Sequence, residues 1–473
     1  MKTLIKNGTL VTAAETFAAD VLVDDGKIVL LGNDLPAGDA AVVDAKGRFL
    51  LPGGIDVHTH VDMPTAVTRT ADDFYTAHKA AAFGGTTCHL DFVMQGKGQS
   101  LRQAIDEWHA HSDPKAVVDY GFHVAITDLT ESVLNEIPQM GREGVTSLKL
   151  FMAYKETLQV DDTTLFKTLM KAAENGMLVM VHAENGDAID VLVKEAVTKG
   201  HLAPEWHAHT RPAWAEAEAT MRAVALAGIA GAPLYVVHVS NAMAADQLAY
   251  GRAHGLPVMG ETCLQYFFFT VDNLRQPDGA KFVCSPPLRT AADGAALWQA
   301  IRNNTLQVIS TDHCPFMFDG TQEIEYEGKK FKMPGKELGK DNFAKIPNGI
   351  PGLGDRMPIL WTHGVGKGHL SLNRMVEVCC TNPAKIFGLY PRKGTLVVGS
   401  DADIVIWDPT MKKTMGVKTS HHRLDYNLYE GWEVTGYPEK VFVRGSLLVD
   451  GEVWHGEPGG GQWLPRSSHT PIL

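Results

Sequence analysis

A chain of 473 residues with 45% apolar and 21% charged content is ordinary for a globular protein, and is long enough for one large α/β barrel plus an appended domain. Its net charge of −12 and pI near 5.9 exclude a basic nucleic-acid surface, and no polybasic membrane patch occurs. Cys88, Cys263, Cys284, Cys314, Cys379 and Cys380 form no C-x-x-C pair, the opening "MKTLIKNGTL" has no apolar leader, and no run reaches about 18 apolar residues, so a cytoplasmic protein is expected.

The chain opens on short strands. "DVLVDDGKIVLLG" alternates and turns at Asp25-Gly26, a hairpin signal. The middle then alternates apolar strands with helical runs. The strands read "GGIDVHTH", "TTCHLDFV", "DYGFHVAI", "SLKLFMAY", "LVMVHAEN", "PLYVVHVS", "VMGETCLQYFFF" and "LQVISTDHCP", each with a helical segment after it. Strands alternating with helices in this number predict a closed (β/α)8 barrel; an open doubly wound sheet is the competing arrangement. The end of the chain returns to strands, "DADIVIWDP" and "KVFVRGSLLVDGEVW", with a turn at Asp450-Gly451. Because termini often lie close together, residues 1–52 and 391–473 are expected to build one small β-sandwich beside a barrel of residues 53–390.

In such a barrel the chemistry sits at the C-terminal ends of the strands. His58 and His60 end the first strand, His182 the fifth, His238 the sixth and Asp312 the eighth. His58 and His60 stand at i and i+2, so both side chains leave one face of the strand. Any one of these histidines is a weak signal. Four histidines and an aspartate at one end of one barrel form a donor set suited to Zn2+ or a similar divalent ion.

The fourth strand, "SLKLFMAY", is apolar on both faces except at Lys149. Its ammonium could reach out of the barrel mouth. Beside a divalent cation it would be badly placed: at about 4 Å and an effective dielectric of 20 the repulsion is roughly 8 kcal/mol. Burial favours the neutral amine, and a neutral amine can take up CO2. The resulting carbamate is a carboxylate on a long arm, able to bridge two metals.

"GGIDVHTHVDMP", "AAAFGGTTCHLDF", "SLKLFMAYK", "VHAEN", "VVHVSN", "ETCLQY", "CSPPLR", "STDHCPF" and "IPNGIPGLGDR" together resemble the cyclic amidohydrolases of the dihydropyrimidinase/hydantoinase group, over nearly the whole chain. The resemblance implies a (β/α)8 TIM barrel beside a β-sandwich made from both termini. It implies two metals, usually zinc, with His58, His60 and Asp312 on one, His182 and His238 on the other, and carboxylated Lys149 (N6-carboxylysine) between them. It implies that a water shared by the metals attacks a ring carbonyl, that Asp312 carries the proton, and that Tyr154 stabilises the oxyanion. The main chains of Ser285 and Asn348 would hold the substrate's –NH–CO–NH– edge. Pro286, Pro287, Pro347 and Gly349 fit the fixed loops this needs.

The ring's substituent is expected against Met63, Met94, Phe151 and Leu158. An apolar pocket suits dihydrouracil, dihydrothymine or 5-substituted hydantoins. A dihydroorotase needs a cation for the substrate carboxylate; Val61 follows the H-x-H pair, and only Arg69 is near. Allantoinase chemistry competes with this reading, as does a non-catalytic scaffold that keeps the fold; the six filled ligand positions argue against a scaffold. Asp91 could orient a ligand. His313 is expected to point away, Cys284 and Cys314 to be packing residues, and His89, His123, His201, His207 and His209 to be ordinary core or surface residues. The charged stretch from Phe318 to Phe343 reads as a solvated loop, with a hairpin at Glu327-Gly328 that could shape the entrance or a subunit contact. The family forms homotetramers or dimers, and the tail with Trp463 and Pro465 could be an arm onto a neighbour.

Overall fold

The computed structural model describes residues 2–470 and 472. Eight parallel strands follow one another in chain order: Gly54–Thr59, Thr86–Met94, Asp119–Ala125, Ser147–Phe151, Leu178–His182, Leu234–Val236, Val258–Cys263 and Val308–Ser310. Thr59 bridges His313 in parallel, and the His60 N–H donates to the His313 carbonyl at 2.8 Å, so the last strand's continuation meets the first and closes the ring. Helices cover the outside, which is why the strands are buried on both faces and read as near-continuous apolar runs. The helix after the first strand, Phe74–Phe83, starts where Asp73 and Thr76 form a reciprocal cap.

The strands stop earlier than their apolar runs. "SLKLFMAY" is a strand only to Phe151, and "PLYVVHVS" only to Val236. Beyond them the chain bends sharply, and Tyr154, His238 and Asp312 have positive φ values of 67°, 42° and 53°. Left-handed backbone is unfavourable for residues with a Cβ and is kept only where surrounding structure enforces it. At these three positions the bend aims the side chain into the barrel mouth.

Both termini share one mixed sheet of nine strands. Phe49–Pro52 from the N-terminal side pairs antiparallel with Ile404–Thr414 from the C-terminal side, with Leu51 opposite Val405. Ile5, Val21, Ile28, Leu50, Ile404 and Phe442 form a core of their own there.

Three expectations need correction. The chain between the fifth and sixth barrel strands holds a long helix, Ala213–Ala230, beyond the single helical run expected after each strand. The tail is not free to reach a neighbour as far as Arg466. The Leu464 N–H donates to the Tyr120 carbonyl at 2.7 Å, the Arg466 N–H to Gly144 at 3.0 Å, and Trp463 bridges Tyr120, all on this chain's own barrel. The charged loop is not merely solvated. Its hairpin forms, Ile324–Tyr326 against Lys329–Phe331 with Glu327 and Gly328 left-handed, but Tyr326 donates to the His421 carbonyl at 2.8 Å and Arg423 lies 4.2 Å over the Phe331 ring. The loop therefore packs against the connection that follows Ile404–Thr414. Among the described residues no helix is long and apolar enough to cross a membrane.

Candidate active site

The mouth of the barrel is a cavity of about 900 Å3. His58, His60, Lys149, His182, His238 and Asp312 all line it. One Asp312 carboxylate oxygen lies 3.1 Å from His58 Nε2 and 3.3 Å from His60 Nε2. The His182 and His238 rings are 4.5 Å apart, and the His58 and His238 rings 5.3 Å. Asp312 Oδ2 has no partner among the described residues.

The electrostatics favour ligands over acids. Burial lowers His60 to about 4 and holds His238 well below the ordinary imidazole range, so both rings are neutral with free lone pairs. Burial opposes charge on His58 too, but the Asp312 and Glu261 carboxylates outweigh it and raise that ring. Burial also raises Asp312, yet the charge and hydrogen bonds of His58 and His60 carry it well below the usual carboxylate range. Burial drives the Lys149 amine down to about 7, against the pull of Asp312 and Glu261. Its Nζ sits 4.6 Å over the Phe92 ring and has no hydrogen-bond or ion-pair partner among the described residues.

These residues pass the test of fitting a metal centre. The His60 and His238 Nδ1 atoms are buried without partners. The donor atoms of His58, His60 and Asp312 all lie within 4.8 Å of one another. A buried orphan nitrogen is costly unless something occupies its lone pair.

Two carboxylates not expected from the sequence hold the ligands in place. Glu261, fully buried, bonds His58 Nδ1 and accepts the Tyr235 hydroxyl at 3.0 Å. Glu184 lies 2.9 Å from His182 Nε2. Each fixes one ring nitrogen and leaves the other to the cavity, the usual arrangement behind a metal-bound histidine. Glu184 stands two residues past His182, beyond the end of the strand, and the chain turns there to bring its carboxylate back to the ring. Glu261 is a charge inside an apolar strand, the same misfit that marks Lys149. Glu261→Gln is expected to weaken metal binding about 10- to 100-fold, measured by competition with a chelator.

A second buried group, Asp72, His313 and His422, also has ligand-like spacing. Three of its four ring nitrogens are hydrogen-bonded, and the fourth, His313 Nε2, faces Asp72 without a hydrogen bond of good geometry. The Gly352 N–H donates to His313 Nδ1 at 3.2 Å and the Gly354 N–H to His422 Nε2 at 3.1 Å. That leaves His313 Nε2 and His422 Nδ1 carrying protons toward Asp72 Oδ2, at 3.3 and 2.8 Å. The group ties the barrel loops to the connection that follows Ile404–Thr414. His313 thus points away from the mouth, as expected.

Tyr154 faces the mouth, its ring 5.2 Å from that of His182. Burial and the Glu184 charge push its hydroxyl above the ordinary phenol range, so it stays a donor. Its carbonyl takes the N–H groups of Thr157, Leu158 and Gln159 at 3.0–3.1 Å, which folds the loop tightly behind it. Ser285 and Asn348 lie together, the Asn348 Nδ2 donating to Ser285 Oγ at 3.2 Å. The Ser285 N–H and C=O and the Asn348 N–H make no backbone hydrogen bond among the described residues. Gly349 beside them has φ 144°, and a Cβ there would lie 2.3 Å from the Cys314 carbonyl. Met63, Met94, Phe151 and Leu158 all line the cavity. Arg69 does not; it pairs with Asp62 at 2.6 Å. Besides Lys149, the cations that do line it are Lys345 and Arg211, and Arg211 donates to His207 Nδ1 at 3.2 Å.

The remaining titratable groups are mostly structural. Burial pushes the Cys284 thiol up to about 12 and Cys314 well above its ordinary range, so neither is a nucleophile. Asp91 touches no ligand; it accepts the Thr59 hydroxyl at 2.8 Å and the Val61 N–H at 2.9 Å, steadying the H-x-H strand. His201 stacks on Trp206 with rings 3.8 Å apart. His207 departs from the expectation of an ordinary role: it is buried and lines the mouth. Burial lowers His89 to about 3, and holds His78 and His123 well below the ordinary range. Their folded-state values lie below the unfolded value of 6.5, so the stability they support is full above about pH 6.5 and is lost as pH falls toward 3. The metal-free protein should lose up to about 1.4 kcal/mol per such group for each pH unit in that window, read from its thermal unfolding.

Comparison with known proteins agrees with this geometry. Residues 49–448 match the model of the Amidohydrolase family. The chain is 48% identical to the D-hydantoinase of Geobacillus stearothermophilus, covering 100% of this chain and 98% of that one. It is 39% identical to the dihydropyrimidinase of Rattus norvegicus, covering 99% and 90%. The crystal structure of dihydropyrimidinase from Brevibacillus agri NCHU1002 superposes with a TM-score of 0.95 at 50% identity, over 99% of this chain and 100% of that one. The chain belongs to the dihydropyrimidinase/D-hydantoinase family of the amidohydrolase superfamily.

Proposed function

We propose that this enzyme, a cyclic amidohydrolase, opens dihydrouracil, dihydrothymine or 5-substituted hydantoins to N-carbamoyl amino acids. The observation that carries the reading is the pairing of two features across one apolar cavity. On one side stand four histidines, Asp312 and the unpartnered Lys149; on the other stand the unpaired main-chain groups of Ser285 and Asn348.

His58, His60 and Asp312 would hold one divalent ion, His182 and His238 a second, and Lys149 both, with zinc the proposed metal. For this Lys149 must be a carbamate: its amine lone pair adds to the carbon of CO2, and the nitrogen releases a proton. Such a metal pair, when bound, polarises a carbonyl and acidifies a water.

The chain's own groups do the rest. Ser285 offers N–H and C=O, and Asn348 N–H, to the ring's –NH–CO–NH– edge, and this fixes which carbonyl faces the ligands. Asp312 uses the oxygen not turned to His58 and His60 to take the proton of the attacking water. As the C–N bond breaks, it returns that proton to the leaving ring nitrogen, and the attacked carbonyl becomes a carboxylic acid that gives its remaining proton to solvent. The Tyr154 hydroxyl donates to the oxygen that gains charge. Met63, Met94, Phe151 and Leu158 receive the ring substituent.

The lining speaks against a dihydroorotase. Val61 is buried, Arg69 is occupied by Asp62, and Arg211 is already bonded to His207, so only Lys345 at the exposed rim would be left to take a substrate carboxylate. A panel of dihydrouracil, dihydrothymine, hydantoin, 5-phenylhydantoin, allantoin and dihydroorotate, with metal content by mass spectrometry, tests the reading. Activity confined to dihydroorotate would overturn it. A cytoplasmic homo-oligomer, tetramer or dimer, belongs to the same proposal. The six free, buried cysteines suit a reducing compartment, and light scattering measures the assembly.

A further inference from the structure

Lys336 is fully buried, yet it comes from the charged loop between the eighth barrel strand and its helix. Its ammonium donates to the Val283 carbonyl at 3.0 Å and to the Pro347 carbonyl at 3.1 Å. No carboxylate lies within ion-pairing distance of it among the described residues. A buried ammonium without a counter-ion is expensive, so its two carbonyl bonds ask for an explanation.

Those carbonyls belong to two different loops. Val283 stands two residues before Ser285, and Pro347 one residue before Asn348. The Gly349 N–H also reaches the Val283 carbonyl, at 3.0 Å. On the other side, His207 Nε2 lies 2.8 Å from the Cys284 carbonyl. Because Arg211 donates to its Nδ1, the Nε2 of His207 carries the proton and donates. The carbonyls of Val283 and Cys284 are thus both occupied from behind, while the Ser285 main-chain N–H and C=O are left without a backbone partner among the described residues. Lys336 itself is held in register: its N–H donates to Met317 at 2.8 Å, and the Glu337 carboxylate accepts the Gly320 and Gly335 N–H groups at 2.9 Å.

We propose that Lys336 is a positioning residue, whose ammonium clasps the Ser285 and Asn348 loops together and sets the spacing of the main-chain groups that take the ureide edge of the substrate. The inference rests on the reading of those two loops given under the proposed function. It assigns a substrate-binding duty to a residue that touches neither substrate nor metal ligand. A neutral amine keeps two N–H donors, so the clasp does not depend on the charge. What it needs is a donor of lysine's reach at this point.

The test replaces Lys336 in the metal-loaded enzyme with methionine, which fills the same volume and cannot donate. Lys336→Met should raise KM for the preferred ring roughly tenfold while kcat stays within about twofold, the pattern of lost binding rather than lost chemistry. Two metals per chain should remain. Lys336→Gln, which keeps donors on a shorter arm, should fall between the two and serves if the methionine variant does not fold. Amide hydrogen exchange at Gly349 should quicken in both variants, with the barrel strands unchanged. An unchanged KM, whatever the melting temperature, overturns the clasp. So does a parallel loss of metal and kcat, which would make Lys336 a support of the metal centre instead. A wild-type protein that opens none of the rings overturns the functional reading; the Gly349 exchange rate then still decides whether Lys336 holds the loops together.

Discussion

Lys149→Ala is expected to lose bound metal and roughly 10,000-fold in kcat/KM, the several kcal/mol a metal centre supplies at about 1.4 kcal/mol per decade. Burial is the origin of the effect. Lys149 is 1% exposed, and its amine is lowered to about 7. Five imidazoles share its cavity, and no anion pairs with it among the described residues. An ammonium there would repel a divalent ion at about 4 Å by roughly 8 kcal/mol at an effective dielectric of 20. A carbamate reverses the sign of that interaction. With the proposed carbamate, alanine would remove the bridging anion and leave the two histidine sets with too little negative charge. A short-chain carboxylic acid should enter the space vacated and restore part of both metal and activity. A fully active, two-metal Lys149→Ala protein would refute the bridge.

Asp312→Asn should cost about 10²- to 10⁴-fold in kcat, the range for removing a group that both takes and returns a proton. The amide keeps an oxygen that can face His58 and His60 Nε2, now 3.1 and 3.3 Å from the carboxylate. Metal should therefore survive better than in Lys149→Ala, and KM should change little. The amide cannot accept the water's proton. Equal losses of metal in the two variants would reduce Asp312 to a ligand and nothing more.

The two variants separate roles that the sequence already places on one surface. Lys149 is legible because a strand's period of two exposes a misfit charge, and His58 and His60 because that same period aligns them. Closure of the barrel is legible from the alternation of strands and helices. The left-handed bends at Tyr154, His238 and Asp312 are not, because none of these residues favours that backbone; tertiary contacts impose it. Glu261 and Glu184 are visible as types but not as partners, since the atoms they bond lie on another strand or around a turn. Lys336 is hidden for a different reason. In a stretch rich in charge, one lysine that turns inward looks like its neighbours, and only its distances to Val283 and Pro347 set it apart. The tail misleads in the opposite direction: Trp463 and Pro465 look like an arm, but the chain's own barrel edge at Tyr120 and Gly144 has the free backbone groups to bind it.

The chemical state of one side chain, Lys149, decides between a bridged metal pair and a buried amine. Protein reconstituted with metal in 13C-bicarbonate and examined by 13C NMR should show one carbamate resonance per chain, absent from Lys149→Ala. An enzyme with two metals and full activity that shows no such resonance would contradict the bridge.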